Sequence, residues 1–197
     1  MPLLDRKCRR QLRQFTRMAR RRYEKHRRRN LFAEPGPHEF VVVLDHLKAA
    51  YNVPKIFRSA EVFGAHEVHL IDIGPFDPGP AKSGFKHVPA RHHEAFDPCY
   101  RELRERGFTL FTLEAGCGER LDRAALPAKS AFVFGHEEQG ISFDRADYPG
   151  VECLAIPQFG RIESLNVSVA ASVVMYEYVR QHGEAGAPRV EAEGEKG

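Results

Sequence analysis

The stretch IPQFGRIESLNVSVAASVV, residues 156–174, joins a polar, glycine-containing loop directly to an apolar segment with helical spacing. Ile156 and Pro157 close a short apolar run, 151–156, that reads as a strand, and Val, Ala and Ser recur at helical intervals from Val167 to about residue 181. Gly160, Glu163, Ser164 and Asn166 fill the loop between them. A loop held between the carboxyl end of a strand and the start of a helix is where open α/β sheets take up small ligands. The first N–H groups of the helix have no partners of their own there. The plainer reading makes Ser164 and Asn166 caps of the helix and nothing more.

Upstream of this stretch, strand and helix patterns alternate. Residues 40–44 are a continuous apolar run, a buried strand. Asn52 is placed to cap a helix over about 54–63, with Ile56, Ala60 and Phe63 on one side and Gly64 as its stop. A second strand spans 67–73, a Gly- and Pro-rich loop follows over 74–80, and a helix over 96–106 ends at Gly107. Strands at 108–113 and 131–134 complete the set. Five strands separated by helices or long connections predict a mainly parallel sheet with helices on both faces. Three polar segments then follow strands one, four and five: 52–64, GHEEQG at 135–140, and the loop of 156–166. A parallel sheet gathers its functional groups at the carboxyl ends of its strands, so Asn52, Arg58, Glu137, Ser164 and Asn166 are candidates to converge. Taken singly, Asn52 is a helix cap, Arg58 a surface residue and Glu137 a loop carboxylate.

The charge is unevenly placed. Residues 1–30 hold 13 Lys or Arg against Asp5 and Glu24, a local +11, which leaves −8 on the rest of a chain whose total is +3. Leu12, Phe15, Ala19 and Tyr23 fall three or four apart, so this segment predicts a basic amphipathic helix. Arg outnumbers Lys and large apolar residues are few, which suits phosphate groups better than lipid or an acidic protein surface. Nucleic acid is the expected partner, through binding that weakens with salt. No run of 18 apolar residues is present, and the N-terminal residues lack the apolar core of a secretory signal. The expected setting is the cytoplasm, without a membrane. Cys8, Cys99, Cys117 and Cys153 are spread without a CxxC pair, so reduced, structural cysteines are expected rather than a disulfide framework or a zinc knuckle. His87, His92, His93, Glu94 and His136 read as loop residues without metal-ligand spacing, so no metal is expected.

The three polar segments together carry a resemblance. Asn52, Arg58, Ser59, Ala60, Phe63 and Gly64, then Gly135, Glu137 and Gly140, then Ile156, Pro157, Gly160, Ser164, Leu165, Asn166 and Val167 resemble, in order and spacing, the three motifs of the TrmH (SpoU) family of SPOUT RNA methyltransferases. The similarity runs over about 40–181. It implies a SPOUT-type α/β fold with a C-terminal trefoil knot, a homodimer, and S-adenosylmethionine as cofactor. The expected reaction is methyl transfer to a ribose 2′-hydroxyl of RNA, with tRNA favoured and rRNA possible. The resemblance makes Arg58 the catalytic arginine, with Asn52, Glu137, Ser164 and Asn166 beside it. Leu113, Gly135, Ile156, Gln158 and Leu165 become the cofactor-binding positions; Gln158 stands where the family often has Met. The resemblance implies for Arg58 either a general-base role or that of a cation that binds a substrate phosphate and stabilises the developing alkoxide, the second being the simpler chemistry, since guanidinium loses its proton only above about 12. The chain divides on this reading into a basic helical extension at 1–37, a methyltransferase domain at 38–182 and a tail at 183–197 expected to lack order. The alternatives are a noncatalytic RNA-binding or assembly protein that keeps the fold, and base methylation as in other SPOUT branches. Retention of all the polar motif residues argues against the first, and the form of the third motif against the second.

Overall fold

A computed structural model describes residues 6–183 except 117 and 163, with the backbone alone for 6–15. Leu12 and Phe15 of the expected stripe, the tail after 183 and Glu163 therefore lie outside the described side chains. The chain opens with α1 (Arg6–Asn30) and continues through β1 (His38–Asp45), α2 (Asn52–Val62), β2 (Ala65–Ile71), α3 (Gly84–His87), β3 (Ala90–His93) and α4 (Phe96–Glu105). It closes with β4 (Thr109–Leu113), β5 (Glu119–Arg120), β6 (Ser130–Phe134), β7 (Val151–Ala155) and α5 (Val167–His182). All seven strands lie in one sheet in the order β3-β2-β1-β6-β4-β7-β5, and every pairing is parallel.

The five strands read from sequence form the sheet's middle, and helices cover both faces as expected. Along β1, Phe40, Val42 and Leu44 point to one face, and Val41 and Val43 to the other. This period of two follows from the pleat, and with both faces covered it gives an unbroken apolar run. The larger core lies under α2 and α5, where Ile56, Phe57, Val174 and Tyr178 meet Phe40, Phe132 and Leu70. The smaller lies under α4, where Phe96, Cys99 and Leu103 meet Val41, Val43 and Ile71.

Four details depart from the sequence reading. β3 and β5 were not expected: ARHH and ER have no apolar period, and they pair only because β2 and β7 offer them an edge. His92 and His93 therefore stand on a strand rather than in a loop, and His87 ends α3. Asn52 is not a cap but the first helical residue; Tyr51 holds the N-cap position with no side-chain hydrogen bond. Cys153 is disulfide-bonded, against the expectation of reduced cysteines.

The basic helix α1 is tied down at its C-terminal end. Tyr23 is buried, stacked 5.4 Å from Phe85 and edge-on 5.2 Å from Phe76. Asn30 Nδ2 donates to the carbonyls of Phe85 at 2.9 Å and Val88 at 2.7 Å, while Oδ1 accepts from Ala90 N at 3.0 Å. These bonds satisfy three backbone groups around α3 that burial would otherwise leave without partners.

Candidate active site

The carboxyl ends of β1, β6 and β7 lead into the three segments singled out from sequence, and these meet. Asn52 Nδ2 donates to Glu137 Oε1 at 2.6 Å, and Asn52 Oδ1 accepts from Asn166 Nδ2 at 3.2 Å. One amide thus links α2, the loop after β6 and the start of α5. Asn166 also caps α5, its Oδ1 accepting from Ser168 N at 3.0 Å and Ser168 Oγ at 2.6 Å. The cap and the bridge coexist on Asn166, because the cap uses its oxygen and the bridge its nitrogen.

The loop carrying Glu137 is shaped by its glycines. His136 and Gly140 exchange backbone hydrogen bonds of 2.7 and 2.9 Å, and Gly140 has φ +74°. A Cβ on Gly135 would lie inside van der Waals contact of the Gly140 carbonyl and Ile141 N, so the loop closes this tightly only with glycine there. Its far end is held by buried Asp45, which accepts from Ser142 N at 2.6 Å and Ser142 Oγ at 2.9 Å. Neighbouring Glu138 accepts from Lys48 Nζ at 2.7 Å, a hydrogen bond that holds its carboxyl below the usual range.

Beside this bridge lies a cleft of about 530 Å³, walled by Leu113, Gly135, Ile141, Leu165 and Val167 and edged by Glu114, Glu137, Ser164 and Asn166. A smaller cleft of about 100 Å³ adjoins it, sharing Leu113, Glu114, Ser164 and Leu165 and adding Ile156 and Gln158. Leu113, Gly135, Ile156, Gln158 and Leu165 thus all line one of two connected hollows. The combination of apolar walls, backbone close at Gly135 and an acidic edge fits a nucleoside joined to a cationic group. Glu114 was missed from sequence although it directly follows β4, so the same rule about strand ends points to it. Its carboxylate accepts from Arg145 Nη1 at 3.2 Å.

Arg58 is not brought into this group within one chain. It sits on α2 six residues beyond Asn52, about 9 Å along the helix axis. It is exposed, lines neither cleft, and makes no ion pair or side-chain hydrogen bond among the described residues. Exposed apolar residues stand on the same pair of contacting helices: Val62 on α2, 64% accessible, and Val169, Val173 and Tyr176 on α5, the last 59% accessible.

Residues 39–176 match the model of the SpoU rRNA Methylase family. The chain belongs to this family. The tRNA (guanosine(18)-2'-O)-methyltransferase of Thermus thermophilus is 32% identical over 189 residues, covering 92% of this chain and 94% of the relative. The 23S rRNA (guanosine-2'-O-)-methyltransferase RlmB of Nitrosomonas europaea is 32% identical over 154 residues, 73% of this chain and 57% of that one. Among solved structures, the TrmH/SpoU tRNA modifying enzyme of A. aeolicus superposes with a TM-score of 0.67 at 22% identity, over 81% of this chain and 83% of the other. The SpoU methyltransferase AviRb of Streptomyces viridochromogenes, solved in complex with AdoMet, gives 0.65 at 24% identity over 77% and 61%. These two likenesses speak for the fold of this SpoU member.

Proposed function

We propose that this SpoU-family protein transfers a methyl group from S-adenosylmethionine to a ribose 2′-hydroxyl of RNA, with tRNA as the first substrate to test and rRNA as the second. The observation that carries the proposal is the Glu137–Asn52–Asn166 bridge at the mouth of an apolar cleft. When bound, the cofactor supplies a methyl group already activated by the positive sulfonium. The chain must align a hydroxyl oxygen with it and stabilise the charge left on that oxygen. Leu113, Ile156 and Leu165 are the apolar walls for adenine, Gly135 lets the backbone approach it, and Gln158 contributes at the edge of the smaller cleft. Asn52, Asn166, Ser164 and Glu137 orient the ribose, and Arg58 binds a phosphate and steadies the developing alkoxide. The length and name of the Thermus thermophilus relative and the arginine-rich α1 support tRNA. No described helix is long and apolar enough to cross a membrane, and we place the reaction in the cytoplasm. No observation favours a noncatalytic reading, since a scaffold has no use for the polar bridge.

In this proposal the active form is a homodimer with a trefoil knot near each C-terminus. The exposed apolar residues on α2 and α5 support pairing there, and pairing is the means by which an Arg58 that stands outside its own cleft joins a site. The experiment is methylation of tRNA and rRNA by the purified protein with labelled S-adenosylmethionine, followed by nucleoside analysis. Mixed dimers of Arg58→Ala and Asn166→Ala chains test the shared site: each variant alone is inactive, and the mixture recovers part of the activity. Absence of any 2′-O-methyl product, or of cofactor binding by calorimetry, overturns the reading; a silent mixture with an active wild type overturns the shared site alone.

A further inference from the structure

Away from both clefts, on the sheet face covered by α4, three donors converge. His69 Nδ1 lies 2.9 Å from His93 Nε2 and 3.2 Å from Cys99 Sγ, and all three ligand atoms fall within 4.8 Å of one another. We propose that His69, His93 and Cys99 bind a divalent transition metal, zinc above all, which clasps strands β2 and β3 to helix α4.

The topology makes the site. β2 and β3 pair in parallel with His69 opposite Arg91, so His93, two residues on, projects from the same face on the diagonal. Cys99 reaches that face from α4, and Glu102, three residues later, shares its side of the helix. Zinc bonds of about 2.0–2.1 Å to nitrogen and 2.3 Å to sulfur place tetrahedral ligand atoms roughly 3.3–3.6 Å apart, a few tenths of an ångström beyond the two spacings from His69 Nδ1. Imidazole with thiolate is the donor set of zinc and cobalt, and magnesium and calcium prefer oxygen. Glu102 Oε2 lies 4.0 Å from His93 Nε2 and would have to swing inward to act as a fourth donor.

The surroundings support the ligands as an outer shell does. Glu67 Oε1 sits 3.1 Å from His69 Nε2, and this carboxylate fixes the ring with its Nδ1 lone pair aimed at His93 and Cys99. Glu67 is in turn held by Arg91 Nε at 2.6 Å and by Arg106. In this tautomer one lone pair faces two donors, His93 N–H and the Cys99 thiol, in a place where His69 and Cys99 are 0% exposed. A metal removes that mismatch. The thiol proton leaves to solvent as the sulfur–metal bond forms, and His93 shifts its proton from Nε2 to Nδ1, a net release of one proton per ion. The site departs from the expectation of no metal, which placed His93 in a loop, set Cys99 aside for want of a CxxC pair and did not weigh His69.

The test uses the full chain, with cobalt(II) and zinc as probes. Cobalt is expected to give a thiolate charge-transfer band that saturates at one ion per chain and is lost in Cys99→Ser. Zinc is expected to raise the melting temperature, with affinity falling roughly 10- to 100-fold in Glu67→Gln. X-ray absorption of the zinc-loaded wild type, which needs no variant to fold, should read one sulfur and two imidazoles. A band that persists in Cys99→Ser, a zinc shell without sulfur, or no zinc effect on melting overturns the proposal. None of these readouts depends on methyl transfer.

Discussion

Asn52 uses both ends of its amide, and this separates residues that hold the site from residues that only hold a helix. Asn166→Ala removes a cap and a bridge together; the missing cap costs about 1 kcal/mol. Asn166→Ser keeps a capping oxygen but cannot reach Asn52, so near-native melting with methyl transfer reduced at least tenfold is the expected result. Equal activity in the Asn166→Ser variant and the wild type would leave the bridge without a catalytic part. Gly135→Ala forces a Cβ against the Gly140 backbone, a strain of roughly 1–3 kcal/mol, and should weaken cofactor binding in calorimetry while the sheet remains folded. At this scale the sequence was readable as far as identity and order: Asn52, Glu137 and Asn166 were singled out, and they touch. The use of each amide was not readable, because a cap and a cross-loop bridge need the same side chain. Glu114 escaped because it belongs to no motif and is visible only as the residue after a strand.

Elements follow the same division. The five apolar strands announced themselves as short apolar runs, and the long helices through a period of 3.6. β3 and β5 are polar, four and two residues long, and exist by virtue of the edges they join. The His69–His93–Cys99 cluster went unseen with β3, since two histidines 24 residues apart become neighbours only once that strand is paired. For α1 the consequence is experimental. Tyr23 belongs to the core, so removing residues 1–30 would injure the fold as well as the basic surface. Tyr23→Ala should cost about 3–5 kcal/mol, seen as a lower melting temperature and faster proteolysis within α1. Arg17, Arg21 and Arg28 are exposed, and replacing all three with Gln should leave melting unchanged. The slope of log affinity for RNA against log salt should then flatten by about one for each phosphate these arginines neutralise. An unchanged slope in a binding assay would remove them from the RNA surface.

For the whole molecule, acid sensitivity follows from partly buried histidines. Burial, helped by neighbouring His182, lowers the pKa of His38, and burial also lowers that of His66. A histidine whose folded pKa lies below its unfolded value near 6.5 leaves stability intact above that pH. It withdraws stability as the pH falls below it, because the unfolded chain takes up more protons. Melting temperature should therefore drop between pH 7 and 5, and less steeply in His38→Gln; parallel curves for the two proteins would discharge His38 from this part. The disulfide at Cys153 lay beyond sequence reading, since the spacing of cysteines alone does not fix their pairing. The strand order has a consequence for biosynthesis. β1 finds β2 within a few tens of residues, but its other edge is closed by β6, which leaves the ribosome only after residue 130. Until then the emerging polypeptide carries a greasy, half-paired ribbon, open to unwanted annealing with other nascent chains. Translation speed and chaperone supply over that interval should govern how much functional protein a cell obtains.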